Sequence, residues 1–301
     1  MGNYSQAREL QKDTLTRRRR ILGDDHPGTL FSANLLGLDL WSLGDYQQAR
    51  QLLNDSVTRS RRILREDHPD TLTTAAVLGQ VLWSLGDYQQ ARQLLNDTFT
   101  RSRAVLGNDH WATLLSATNL GMVTWSLGDY QQARQLQNDT LTRLRRVLGE
   151  DHIFTLRSAG LLGLALWSLG DYQQARQLQS DAFTRCSRVH GEDHPYTLDL
   201  ASLLGLTLGA LGEHQQAQQL LNDTFTRSRR ILGEDHPETL RTASLLGLTL
   251  GALDEHQRAR QLQTDALTRL RRMRGDDHPD TLISANNLAA DLHALGEHEQ
   301  T

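Results

Sequence analysis

An Asp-His dipeptide recurs with its histidine at His26, His68, His110, His152, His194, His236 and His278, each 42 residues after the last and without slippage. A fixed period of that size ties every copy to one supersecondary unit, and such units bury their apolar faces by stacking on neighbours. No linker or shift of composition interrupts the 301 residues. The expected organisation is therefore one solenoid over 1–301, with a lone second helix over 2–24, six helix pairs over 26–276 and a lone first helix over 277–301.

Each unit reads as two helices. The first opens at a proline such as Pro69, whose fixed φ suits an opening turn, and carries Leu72, Ala75, Leu78, Gly79 and Leu82 as a helical stripe. It stops at Gly86, where Asp87 with Gln90 is expected to form a capping box for the second helix, as Asp45 with Gln48, Asp129 with Gln132 and Asp171 with Gln174 would. The second helix is expected to turn Ala91, Leu94, Leu95, Thr98, Phe99, Ser102, Val105 and Leu106 inward. Alanine holds one column from Ala33 to Ala285 and another from Ala7 to Ala259. Glycine holds a third from Gly37 to Gly247 that ends in Ala289. Helices approach closely only where side chains are small, so these columns mark the crossings of tight antiparallel hairpins. The fold class is an all-α solenoid.

The spacing of Ala33, Leu36, Gly37, Leu40, Gly44, Tyr46, Ala49, Leu53 and Ser56 resembles that of the tetratricopeptide repeat, with eight extra residues before Pro69. The longer unit with its LGxDHPxT junction is similar to the 42-residue repeats of kinesin light chains and of many bacterial regulatory proteins. This resemblance implies a right-handed superhelical solenoid of antiparallel helix pairs. It also implies a non-catalytic scaffold that holds a peptide or partner helix on the face lined by the first helices. One departure stands out: the place of Leu53 is taken by Gln11, Gln137, Gln179 and Gln263, where looser or partly solvated packing is expected.

Catalytic and cofactor chemistry finds few carriers. Lys12 is the only lysine, which removes any Walker A or Schiff-base lysine from the body of the chain, and no HExxH, GxSxG or dinucleotide-binding glycine pattern occurs. Cys186 is the only cysteine, so neither an intramolecular disulfide nor a thiolate cluster can form, and a reducing, cytoplasmic setting is expected. The near absence of lysine fits a GC-rich bacterial coding sequence. Histidines spaced one per repeat stand on the order of 10 Å apart, too far to share a zinc ion whose ligands lie at about 2.0–2.1 Å. His214, His256 and His298 replace a tyrosine column and read as structural. Neither metal nor cofactor is expected, and the chain is not read as an enzyme. A formal charge of −4 and the lack of a long apolar run point away from nucleic acid and membrane. Acid-first pairs such as Asp55 with Arg59 and Asp97 with Arg101 recur in every second helix.

Carried onto this sequence, the binding face of the resemblance contains Trp41, Trp83, Trp125 and Trp167, one turn from Leu38, Gln80, Met122 and Leu164. Aromatic anchors in desolvated places make binding hot spots. Asn34, Asn119, Asn286 and Asn287 are candidates to clamp a peptide backbone. The tryptophan column then switches to Gly209, Gly251 and His293, so the two ends of the face are expected to differ in depth and polarity. The unpaired terminal helices carry two alternative readings: head-to-tail homo-oligomers or filaments, or the sensor arm of a larger bacterial signalling NTPase.

Overall fold

The computed structural model describes residues 2–294 and Gly296. Among them the secondary structure is fourteen α-helices and no strand. The chain packs as two compact units, residues 1–150 and 151–301. The first holds α1 (Gly2–Leu22), α2 (Pro27–Ser42), α3 (Tyr46–Leu64), α4 (Pro69–Ser84), α5 (Tyr88–Leu106), α6 (Trp111–Ser126) and α7 (Tyr130–Leu148). The second holds α8 (Ile153–Ser168), α9 (Tyr172–His190), α10 (Pro195–Ala210), α11 (His214–Ile231), α12 (Pro237–Gly251), α13 (His256–Arg274) and α14 (Pro279–Ala294). Within each unit, consecutive helices pack side by side as antiparallel hairpins, and first helices also touch first helices. Residues 295 and 297–301 of the lone first helix expected over 277–301, His298 among them, lie outside the described residues.

The repeated histidine starts every first helix. Its Nδ1 accepts the backbone N–H two residues on, at 3.0 Å from Gly28 to His26 and 3.3 Å from Phe154 to His152, and the same bond recurs at His68, His110, His194, His236 and His278. The ring thus does the work of a Ser or Asp cap: it satisfies one of the donors a helix start leaves open. Accepting through Nδ1 requires a neutral imidazole with its proton on Nε2.

The expected capping boxes do not form. Asp45, Asp87, Asp129 and Asp171 precede second helices but make no side-chain cap bond. The first three instead receive a guanidinium from the preceding second helix: Arg8 reaches Asp45 at 3.4 Å, Arg50 reaches Asp87 at 3.2 Å and Arg92 reaches Asp129 at 3.8 Å. A sequence-local acid-glutamine pattern is thereby spent on a contact between hairpins. The i,i+4 pairs do form, and they too are shared. Arg59 lies 2.9 Å from both Asp55 and Asp25, so one arginine ties its own helix to the junction that opens the hairpin. Such exposed pairs are screened by solvent, and they set register more than stability.

Close approach governs the core. A Cβ added to Gly79 would sit 2.4 Å from Leu95 Cγ, and one added to Gly121 would sit 2.5 Å from Gln137 Nε2. Three of the four glutamines correct the expectation of loose or wet packing, while Gln11 is half-buried. Gln137, Gln179 and Gln263 are at most 1% exposed, because the glycine opposite leaves room for the whole amide between the helices. Gln137 Nε2 donates to Thr118 O at 2.9 Å, and Gln179 Oε1 accepts from Thr207 Oγ1 at 2.7 Å. Val105, expected inward, is 55% exposed, since α5 ends one residue later at Leu106.

Second helices close on a residue of positive φ, glycine at Gly107, Gly149, Gly191 and Gly275 but Arg65 in α3. Arg65 has φ 78° and ψ 163°, a region that is essentially glycine-only and costs about 1–3 kcal/mol for other residues. Arg65→Gly is expected to raise stability by about that amount in denaturant unfolding monitored by circular dichroism.

The histidine caps carry a second prediction. Burial, and secondarily the His190 charge, hold His152 and His194 below the usual imidazole range. A depressed folded-state pKa means their contribution is complete above the unfolded value of about 6.5 and is lost as pH falls through the folded value. The thermal midpoint is expected to drop between pH 7.5 and 5.5, and His194→Asn, which keeps a cap acceptor that does not titrate, is expected to shrink that drop.

Candidate binding face of the first helices

In the first unit the tryptophans serve the seams between hairpins. Trp41 Nε1 donates to Ser84 Oγ at 2.8 Å and Trp83 Nε1 to Ser126 Oγ at 2.7 Å, so each indole is tied to the end of the next first helix. Both rings are half-buried against the apolar core. Trp125 and Trp167 are also half-buried, and their rings lie 6.4 and 6.3 Å from Tyr130 and Tyr172. These geometries use the indoles as mortar between repeats. Met122 is 4% exposed and Gln80 3%, so neither presents itself to a partner, whereas Leu38 and Leu164 are half-buried.

The asparagines do not form a common clamp. Asn119 is fully buried, and its Nδ2 donates to Ala76 O on the neighbouring first helix at 3.0 Å, so it holds α6 to α4. Asn34 is buried at 8% with its amide oxygen unpartnered. On α14, Asn286 is exposed and Asn287 half-buried.

In the second unit the leucine column becomes exposed at Leu248. On α8, α10 and α12 the residues Leu164, Leu206 and Leu248 continue the column of Leu38, and Leu248 is 41% exposed. Seven residues before each leucine, two helical turns away on the same side, stand Arg157, Asp199 and Arg241. Each of these helices thus presents a charge and then a leucine. Arg241 Nη2 is 2.5 Å from Asp199 Oδ1 and 2.8 Å from Glu238 Oε1, and the Arg157 guanidinium stands 5.7 Å from the Tyr196 ring. Burial pushes the Asp199 carboxyl up to about 6, against the pull of Arg241. Two rails result, one of balanced charge and one of leucine.

Leu206, Leu248, Asp199 and Arg241 were not among the residues expected at the site. The signal for the leucines is present in the sequence, since they share a column with Leu38 and Leu164. The charged row was legible as the change from Phe31, Thr73 and Leu115 to Arg157, Asp199 and Arg241.

Other reactive groups are occupied structurally. Cys186 is fully buried, burial raises its thiol pKa, and its Sγ accepts from Thr197 Oγ1 at 3.2 Å. Among the described residues no group of three or more His, Cys, Asp or Glu is arranged to hold a metal ion, and no helix is long and apolar enough to cross a membrane. A crevice of about 170 Å³ beside Phe99, Thr113 and Arg143 is below the ~300–1,000 Å³ typical of small-molecule sites.

Comparisons with known proteins agree with this architecture. The tetratricopeptide-repeat family model matches residues 1–62, 42–104, 112–185, 161–230 and 210–272. A crystal structure of a Podosopora anserina kinesin-light-chain protein with nearly identical TPR-like repeats shares 25% identity and a TM-score of 0.53, over 68% of this chain and 97% of that one. The apo quorum sensor NprR from B. thuringiensis superposes with a TM-score of 0.67 at 13% identity, over 98% of this chain and 80% of that one. A Rap protein complexed with competence and sporulation factor gives 0.65 at 10% identity, over 95% and 81%. No curated protein matches the sequence. With matches over most of its length and kinesin-light-chain-like structural relatives, the chain belongs to the tetratricopeptide-repeat family.

Proposed function

We propose that the chain is a non-catalytic interaction scaffold that binds an extended peptide across α8, α10 and α12. The observation that carries this reading is the leucine column of half-buried Leu164 and Leu206 and exposed Leu248 beside the row of buried Arg157 and half-buried Asp199 and Arg241. Neighbouring helix axes lie about 8–10 Å apart, and a chain in the polyproline II conformation advances about 3.1 Å per residue and returns to the same side every third residue, so every third peptide residue meets a new helix. The ligand is therefore a segment with apolar side chains at every third position. Two structural relatives are, by name, a quorum sensor and a Rap protein complexed with competence and sporulation factor, which supports a binding role for the fold. A cytoplasmic location fits the single, buried, unpaired thiol.

Head-to-tail assembly is the weaker reading. Ala289 stands where the other first helices have glycine, and Gln11 of a second copy would meet its Cβ much as Gln137 would meet one at Gly121, at 2.5 Å.

Peptide display against the chain tests the reading. Enriched peptides are expected to carry the three-residue apolar spacing, and Leu248→Glu to weaken them about tenfold or more with the unfolding midpoint little changed, because Leu248 is already 41% exposed. Peptides that bind Leu248→Glu and the unaltered chain equally would place the binding elsewhere.

A further inference from the structure

One junction of the first unit lacks the acid that its counterparts share. The residue before the repeated Asp-His is Asp24, Glu66, Glu150, Glu192, Glu234 or Asp276 in six copies and Asn108 in the seventh. Where the acid is present, it can gather guanidinium groups from two helices. Glu234 receives Nη2 of Arg229, on α11, at 2.6 Å and Nη2 of Arg269, on α13, at 2.8 Å. The corresponding arginines around Asn108 are Arg103 on α5 and Arg143 on α7. Arg143 keeps its Nε on Asp139 at 2.9 Å and its Nη1 on Asp109 at 3.2 Å, but its Nη2 meets no acid among the described residues. Arg103 forms no ion pair among them and lies over the Phe99 ring at 5.4 Å.

Space accompanies the missing charge. Arg103, Asn108 and Arg143 line one crevice of about 170 Å³, together with Phe99, Thr113 and Asp139. The same crevice one repeat earlier, lined by Arg61, Glu66 and Arg101, holds only about 10 Å³, and there Glu66 stands 2.8 Å from Arg101 Nη2. Arg103 and Asn108 are exposed and Arg143 is half-buried, so the crevice is open to solvent on the side of its cations. We propose that the crevice at Asn108 is a binding site for one carboxylate, which takes the place that glutamate fills at the earlier junction. A carboxylate has two oxygens and can accept from both guanidinium groups at once. Asp139 and Asp109 already hold Arg143, and they repel a doubly charged phosphate more than a singly charged carboxylate. The same chemistry is carried by an acidic side chain of a protein partner and by a small free organic acid. The site does not rest on the peptide reading of α8, α10 and α12.

The test uses the full chain labelled with ¹⁵N and follows the Nε–H resonances of Arg103 and Arg143, assigned with Arg103→Gln and Arg143→Gln. The probes are acetate and the blocked tripeptide acetyl-Ala-Glu-Ala-amide, with chloride holding ionic strength constant. Saturable movement of both resonances is expected at carboxylate concentrations on the order of 10 mM. The matching glutamine tripeptide should act at least about tenfold more weakly, and inorganic phosphate should bind no tighter than acetate. Asn108→Glu, which restores the acid of the other junctions, should weaken the response about tenfold or more with the fold kept. Glu66→Asn should open the earlier crevice and give Arg101 a response of the same kind. Tighter binding of the glutamate tripeptide than of acetate assigns the site to a partner's side chain, and the reverse order assigns it to a free acid. Resonances that carboxylate leaves unmoved, an equal response to the glutamine tripeptide, tighter binding of phosphate, or an unchanged response in folded Asn108→Glu would overturn the inference. If carboxylate binds as described while display yields no peptide sensitive to Leu248→Glu, the peptide reading fails and the carboxylate site stands.

Discussion

Everything in this chain depends on how closely two helices of one hairpin can cross. At the crossing a glycine hydrogen faces a leucine or glutamine side chain, and a single added methyl carbon would lie 2.4–2.6 Å from it in each of the six hairpins. Interiors packed to crystal-like density do not absorb such an overlap without moving a helix. The close crossing lets Leu53, Leu95 and Leu221 be fully buried by a hairpin that is otherwise polar on its outer face. It also explains how an amide can replace leucine in this place: with no side chain opposite, Gln137 reaches the backbone of the first helix at Thr118.

Stacking then follows from side chains that reach from one hairpin to the next. Indoles bridge first helices through serine, and arginines of one second helix reach the acid that opens the next. Each contact is modest by itself, but all recur with the 42-residue period, so register errors would break many at once. The proposed binding face lies where the periodic contacts are interrupted. Replacement of tryptophan by Gly209 and Gly251, of Ser by Ala210, and of apolar residues by Arg157, Asp199 and Arg241 turns a packed face into one with exposed leucine, paired charge and unpaired polar atoms.

The helix pairs, their boundaries and the glycine crossings were legible because they rest on periodicity and on side-chain size, which one chain displays several times over. Capping at Asp87 does not follow from sequence: an acid followed by glutamine has the right letters, but its backbone ψ of 52° and the arginine of the preceding hairpin decide otherwise. The histidine that does cap was visible only as a junction mark, since which ring nitrogen points at the backbone is set by rotamer and not by spacing. Burial of Gln179 depends on what stands opposite, and the exposure of Leu248 on what its neighbours lack. Both are relations between repeats, and they become readable only when columns are compared at the level of contacts.

A double-mutant cycle at one crossing tests the central claim most directly. Gly205→Ala, Leu221→Ala and the pair would be compared by denaturant unfolding, since a Cβ at 205 would lie 2.6 Å from Leu221. Overpacking should make Gly205→Ala cost about 1–3 kcal/mol in the presence of Leu221 and much less once that leucine is cut back, which gives a favourable coupling of about 1 kcal/mol or more. Strict additivity, with Gly205→Ala neutral or stabilising beside an intact Leu221, would contradict the claim that close crossing at glycine sets the architecture.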